Sequence, residues 1–241
     1  MRMRQYPSVF PRTALVTGGA SGIGASIVAL LRREGADVRS LDLEDGFDVS
    51  DPRSWDAVGP VELACLNAGV VTGESDLPLL SDEAYRRILG TNVDGVVFGV
   101  RRLARVMERG SAIVATASLA GLTALPDDPI YTLTKHAVVG FVRSVAPQLE
   151  ARGIRINAVA PGIVDTPMIG EGRERLLDAG FPLLKPEDIA DALLIAARRG
   201  ETGQVWAVQP GREPLQFRFP NVPGPRDASG ARVGAPPPAS S

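Results

Sequence analysis

Thr13-Ala14-Leu15-Val16-Thr17-Gly18-Gly19-Ala20-Ser21-Gly22-Ile23-Gly24 is the stretch on which the reading of this 241-residue chain turns. Residues 13–17 form a short apolar run of strand length. Residues 23–34 repeat apolar side chains at helical spacing up to Gly35, which suits a helix end. Between the two, Gly18, Gly22 and Gly24 let the backbone turn tightly, approach a ligand closely and pack helix against sheet. The first amides of a helix lack intrahelical acceptors and attract negative charge. Strand, glycine turn and helix in that order imply a pyrophosphate site, whereas a lone glycine-rich turn serves geometry alone.

Outward from this unit the alternation continues to about residue 209. Strands are expected at 38–41, 62–66, 111–116, 154–160 and 204–208, a short helix at 54–58, and one or two helices within 82–108. Further helices are expected at 129–151 and 186–198, the second opening on Glu187 and Asp188, which suit a helix dipole. Parallel strands need crossovers, so the pattern predicts an α/β fold. Its form is a doubly wound parallel sheet of Rossmann type, three-layered, in a single domain. Ligands of such sheets bind beyond the carboxyl ends of the strands.

The organisation expected is an N-terminal extension 1–11, the domain 12–209, an extended arm 210–223 in which Leu215, Phe217 and Phe219 alternate, and a disordered Pro/Gly-rich tail 224–241. Hydrophobic residues make up 44% and aromatics only 5%, which implies an aliphatic core. The net charge of −2, from 26 basic and 28 acidic residues, gives no footprint for nucleic acid or an anionic membrane. No apolar stretch approaches the roughly 18 residues of a transmembrane helix. Cys65 is the single cysteine, so no internal disulfide forms, and a cytoplasmic protein is expected. No Cys/His cluster has metal-ligand spacing, so no metal is expected.

The glycine spacing is T-G-x-x-x-G-x-G, and with it residues 12–209 resemble the classical short-chain dehydrogenase/reductase (SDR) family. The resemblance implies that Gly18, Ser21, Gly22, Ile23 and Gly24 hold the phosphates of a nicotinamide dinucleotide. Asp42, 18 residues after Gly24, is then the acid that accepts from the adenosine ribose and repels a 2′-phosphate. Neither Ser21 nor Leu43 is basic, and Arg39 lies inside the strand, so NAD is expected and NADP is less favoured. The plainer reading of Asp42 is a solvated acid beside Glu44 and Asp45. Asp48 and Val49 resemble the family's adenine contact. Asn67-Ala68-Gly69 resembles the motif that steadies the sheet beside the adenine ribose. Pro161, Gly162, Val164 and Thr166 resemble the segment that holds the nicotinamide carboxamide.

Hydride chemistry on an alcohol needs a group that gives and takes a proton near neutral pH. A free tyrosine titrates near ~10, and a neighbouring ammonium lowers that value. Tyr131-Thr132-Leu133-Thr134-Lys135 sets tyrosine and lysine on one helical face, and of the 26 basic residues only Lys135 and Lys185 are lysines. By resemblance, Ser118, 13 residues before Tyr131, polarises the substrate oxygen, Asn92 supports a proton relay through Lys135, and Tyr131 and Lys135 also contact the cofactor. His136 is the only histidine and points roughly 100° away from Lys135 on the same helix, which favours a structural or interface role.

Residues 167–185 correspond to the substrate lid, with Met168, Ile169, Leu176, Leu177 and Phe181 as its apolar members. Asp127-Asp128 either meet a polar substrate group or form a solvated turn. The expected activity is hydride transfer between NAD(H) and a small secondary alcohol or ketone. The rivals are an NADPH-dependent biosynthetic ketoreductase and a non-catalytic nucleotide-sensing protein, which would tend to lose Tyr131 or Lys135. A homo-oligomer, tetramer or dimer, is implied through helices 82–108 and 129–151, with Gly95, Gly99 and Gly140 permitting close approach.

Overall fold

A computed structural model describes residues 11–199, 201–229 and 231. Its centre is a seven-stranded sheet in the order β2-β1-β3-β4-β5-β6-β7. The strands are β1 (Thr13–Thr17), β2 (Asp37–Leu41), β3 (Leu63–Leu66), β4 (Ala112–Thr116), β5 (Arg155–Pro161), β6 (Val205–Val208) and β7 (Leu215–Gln216). The first six run parallel and β7 is antiparallel to β6. Chain order reverses at β1, which lies between β2 and β3. The crevice beyond its carboxyl end is where a doubly wound sheet accepts a ligand.

Helices cover both faces, which is why the central strands read as unbroken apolar runs. On one face α1 (Gly22–Arg33) and α6 (Pro186–Arg198) pack Ile27, Leu31, Ile189 and Leu193 onto Ala14, Val16 and Val114. On the other, α3 (Gly95–Val106) and α4 (Pro129–Ala151) pack Val100, Leu103, Val142 and Leu149 onto Leu15, Ile113 and Ile156. Pro129 and Pro186 occupy first turns of their helices, where a missing amide hydrogen costs nothing and φ is already helical. Cys65 sits inside this core, and burial pushes its thiol pKa up.

The region expected to hold one or two helices is α2 (Asp82–Leu89) running into α3 through one wide turn, Gly90–Asp94. In that turn the Gly95 amide reaches back five residues to the Gly90 carbonyl. Instead of a helix at 54–58, the β2–β3 crossover has two 3-10 turns, Leu43–Asp45 and Pro52–Ala57. Asp51 caps the second by accepting from Arg53 N at 2.9 Å. Trp55 is buried there, donates to the Val49 carbonyl at 3.0 Å and meets Phe47 edge-on.

This crossover corrects the reading of two glycines. A Cβ on Gly95 would lie 2.8 Å from Val49, and one on Gly99 would lie 2.7 Å from Trp55. Both glycines make room for the chain's own 49–55 segment rather than for a second copy; of the three glycines named for helix approach, Gly140 alone faces open space. Gly99→Ala therefore forces Trp55 or the helix to shift, and overpacking of this kind destabilises by about 1–3 kcal/mol. A urea midpoint equal to that of wild type would contradict this packing.

The arm lies on its own chain. Leu215 and Gln216 pair with Ala207 and Trp206, and Phe217 N donates to Val205 O at 2.7 Å. Phe219 joins the α3/α4 core cluster, with the Arg143 guanidinium of α4 3.7 Å from its ring centroid. The expected N-terminal extension up to residue 10 and the tail beyond residue 231 lie outside the described residues. Among the described residues no helix is long and apolar enough to cross a membrane.

Candidate active site

A cavity of about 840 Å³ runs across the carboxyl ends of the central strands. At one end lies the glycine turn. Gly18 has φ +65°, and a Cβ there would lie 2.8 Å from Ala68 Cα. Gly22 has φ +51°, with Thr166 Cγ2 3.2 Å from an added Cβ, and a Cβ on Gly24 would collide with the Gly18 carbonyl. Left-handed φ and missing room thus both demand glycine here. Ser21 stands at the N-cap of α1 without capping it through its side chain, and the first turn carries no acid. The leading amides are left open to an anion, so the cradle fits a dinucleotide phosphate.

Beside the glycine turn, Asp42, Asp48 and Val49 line the cavity, together with Leu43, Glu44 and Phe47. Asp42 Oδ2 accepts from Ala20 N at 2.9 Å and so ties the end of β2 to the glycine turn. Asp48 Oδ1 accepts from Ser50 N at 2.8 Å and from Ser50 Oγ at 2.7 Å. Asn67, Ala68 and Gly69 follow β3. The amides of Asn67 and Ala68 donate to Thr17 Oγ1 at 3.0 and 3.1 Å, and Thr116 Oγ1 donates to Asn67 Oδ1 at 3.0 Å. Three strand ends are knitted together by this motif. Pro161, Gly162, Val164 and Thr166 line the wall beyond β5, next to Ile163.

Tyr131, Lys135 and Ser118 converge on the same cavity. Lys135 is buried; its Nζ lies 5.4 Å from the Tyr131 ring centroid and donates to the Thr116 carbonyl at 2.9 Å. Burial draws the lysine pKa down to about 8. Tyr131 goes the other way: burial raises its pKa most, the hydrogen bond from Ser118 lowers it, and the nearby Asp128 carboxylate raises it. Among the chain's own groups burial prevails over the pull of Ser118, so the phenol lies above its ordinary value rather than below it.

Asn92 is buried in the wide turn and does not line the cavity. Its Oδ1 accepts from Val70 N at 2.8 Å, and its Nδ2 donates to Val70 O at 2.9 Å and to Thr134 Oγ1 at 3.1 Å. Only Gly69 separates it from the lysine: a Cβ there would lie 3.4 Å from Lys135 Nζ and 3.5 Å from Asn92 Oδ1. His136 is exposed, its Nδ1 3.0 Å from Thr132 O, outside the cavity.

Sequence reasoning missed several groups whose role depends on distant partners. Asp128 is no solvated turn. It is 6% exposed and accepts three backbone amide hydrogens. Thr116, which receives the lysine, carried no signal beyond its place at a strand end. The lid contains a short helix, α5 (Gly172–Asp178), that was not foreseen. Met168, Ile169 and Leu176 line the cavity, whereas Leu177 and Phe181 are exposed away from it. The Asp165 carboxylate holds Arg173 through two contacts of 2.6 and 2.8 Å and so braces the lid. Among the described residues no group of His, Cys, Asp and Glu could hold a metal ion.

A doubly wound sheet with a phosphate cradle and a tyrosine–lysine pair in one cavity defines a nucleotide-dependent oxidoreductase. Residues 48–211 match the family model described as enoyl-(acyl carrier protein) reductase. The chain is 32% identical over 209 residues to 3β-hydroxysteroid dehydrogenase 2 of Eggerthella lenta, covering 74% of this chain and 80% of that one. It is 30% identical over 240 residues to the 3-oxoacyl-(acyl-carrier-protein) reductase FabG of Chlamydia trachomatis, covering 83% and 96%. Among solved structures, BdcA in complex with NADPH superposes with a TM-score of 0.74 at 26% identity, covering 82% and 92%. The chain belongs to the short-chain dehydrogenase/reductase family.

Proposed function

We propose that this protein is an NAD(H)-dependent oxidoreductase that interconverts an uncharged, partly apolar secondary alcohol and its ketone. The observation that carries this reading is the convergence of Tyr131, Ser118 and Lys135 in one cavity with the glycine cradle. A bound nicotinamide supplies or accepts the hydride. Tyr131 Oη holds the proton, giving it to the ketone oxygen in reduction and taking it from the alcohol in oxidation. Ser118 donates to the same oxygen and polarises it. Lys135, held at Thr116, stabilises the phenolate once the proton has left. Asn92 fixes Val70 and Thr134 and so supports a proton relay that runs from Lys135 to solvent.

Gly18, Ser21, Gly22, Ile23 and Gly24 would hold the phosphates and Asp42 the ribose. Asp48, Val49, Asn67, Ala68 and Gly69 would meet the adenosine, and Pro161, Gly162, Val164 and Thr166 the carboxamide. The preference for NAD rests on charge. Asp42, Glu44 and Asp48 line the adenosine end, and among the described residues that line the cavity the one cation is Lys135 at the far end. A 2′-phosphate finds no counter-charge among the described residues that line this end. The same argument disfavours phosphate-bearing thioesters as substrates. The substrate end is instead walled by Val70, Val71, Leu125, Met168, Ile169 and Leu176. We also infer a dimer or tetramer through α3 and α4, with Gly140 as the glycine left open for it.

The test is calorimetric titration with NADH and NADPH. NADH is expected to bind at least about tenfold more tightly, a gap of about 1.4 kcal/mol. Asp42→Ser is expected to close most of that gap. The second reading, an NADPH-dependent ketoreductase, draws on the likeness to a chain bound to NADPH. Tighter NADPH binding would establish it and displace the first.

A further inference from the structure

We propose that Asp128 is a positioning residue that locks the wall of the substrate subsite to the catalytic helix and, through its charge, governs the pH range in which Tyr131 works. The proposal rests on the reading of Tyr131 as the acid–base group.

Asp128 does more than cap α4. Its Oδ1 accepts from Tyr131 N at 2.8 Å, while Oδ2 accepts from Thr72 N at 2.8 Å and Gly73 N at 3.2 Å. A Ser or Asn at this position would satisfy the helix end alone. Taking three amides with two oxygens, nearly out of solvent, is a task for a carboxylate. The two segments it joins are far apart in the chain, and each borders the reaction. One begins the helix of Tyr131 and Lys135. The other continues Val70 and Val71, which line the substrate end of the cavity.

Residues 70–73 are otherwise held by Asn92 on Val70 and by Arg87, which donates to the Val71 carbonyl at 3.0 Å. Of the three anchors Arg87 holds the wall alone, whereas Asn92 also reaches the catalytic helix at Thr134 Oγ1 and Asp128 reaches it at the backbone of Tyr131 itself. Asp128 therefore links the 72–73 part of the wall directly to Tyr131, where Asn92 ties Val70 to the helix one turn further on.

The charge has its own consequence. The charged residues lining the cavity are Asp42, Glu44 and Asp48 at the adenosine end and Asp127, Asp128 and Lys135 nearer Tyr131. Lys135 and Asp128 belong to the tyrosine's own helix and its cap. β4, the Ser118 turn and residues 161–169 add no further charge to the lining, and Asp127 is exposed one residue before the cap. A buried carboxylate three residues from the phenol keeps the proton on it, opposing Lys135.

Asp128→Asn keeps size and the acceptor toward Tyr131 N, removes the charge, and turns a donor toward the two loop amides. The acid limb of alcohol oxidation is expected to move to lower pH by about half to one unit. KM for the alcohol is expected to rise about tenfold as the wall loosens. NADH affinity should not change, since the cofactor end is untouched. Asp128→Glu, which retains the charge, should restore the acid limb. A limb and KM at wild-type values, with only the melting temperature lowered, would reduce Asp128 to a helix cap and overturn the proposal. If the wild-type protein oxidises no alcohol, the reading of Tyr131 fails separately. The same variants are then read by phenolate absorbance and by hydrogen exchange of the Thr72 and Gly73 amides. Unchanged values in both would overturn the role of Asp128.

Discussion

Tyr131→Phe is expected to lower turnover about 10³-fold or more, within the range that a positioned proton donor contributes. It should leave NADH affinity within about twofold, a difference below about 0.5 kcal/mol. The phenol is the group in the cavity whose neighbours act on its ionisation from both sides. Ser118 favours phenolate by hydrogen bonding, and burial and Asp128 favour phenol. Phe keeps the ring, its packing and the helix, and removes only Oη. The phosphate cradle and Asp42 lie at the other end of the cavity, so binding of the dinucleotide is left intact. The pair of measurements discriminates cleanly. Loss of turnover with retained binding supports acid–base catalysis by Tyr131, whereas retained turnover would remove that role. A wild-type protein that binds NADH and turns over no alcohol or ketone would point instead to a nucleotide-sensing protein on the same scaffold.

Lys135→Met is expected to do two things of opposite sign. Turnover should fall about 10²-fold or more, because the phenolate loses the one cation beside it. Stability at pH 7 should rise. The ammonium is buried, with one hydrogen bond to the Thr116 carbonyl, and its pKa is drawn from 10.5 to about 8. A lysine whose folded pKa lies below its unfolded one destabilises the fold wherever it is charged. The penalty is full below pH 8 and fades between about pH 8 and 10.5, where the unfolded chain binds the extra proton. The full gap corresponds to roughly 3 kcal/mol; allowing for the lost bond to Thr116, the variant should be more stable by about 1–3 kcal/mol at pH 7.

The two proteins must be compared at each pH, because Cys65 works in the opposite direction. Its raised thiol pKa makes the fold lose stability once the unfolded thiol ionises. That contribution is common to both proteins and cancels in the difference. The variant's advantage should shrink as pH climbs from 8 to 10. A variant less stable than wild type at pH 7 would mean that the buried charge is compensated by the site.

How much of this was legible in the chain follows from the range of each signal. The glycine turn, the i, i+4 pair Tyr131–Lys135 and the helices that start at Pro129 and Pro186 are short-range patterns. Their backbone requirements are met within a few residues, and the helical bounds expected for 129–151 and 186–198 are those observed. The wide turn at Asn92 was not legible, since it answers to Val70 and Thr134 rather than to its neighbours. Gly95 and Gly99 looked like an invitation to a second helix. They are filled instead by Val49 and Trp55, from a crossover whose packing partner lies some forty residues away in the chain. Asp128 looked like a turn residue because two of its three amide partners lie more than fifty residues earlier.

The order of most strands and helices, the glycine turn and the tyrosine–lysine pair were therefore written in local residue chemistry. Side-chain spacing and backbone freedom act over a few positions, and need nothing else to be expressed. What tertiary structure alone decided is the state of those groups. It set how far Tyr131 and Lys135 are drawn from their ordinary ionisation and which backbone the carboxylate of Asp128 holds. It also laid the arm against β6. Burial and dielectric belong to an environment assembled from remote segments, so they exist only once the chain has folded.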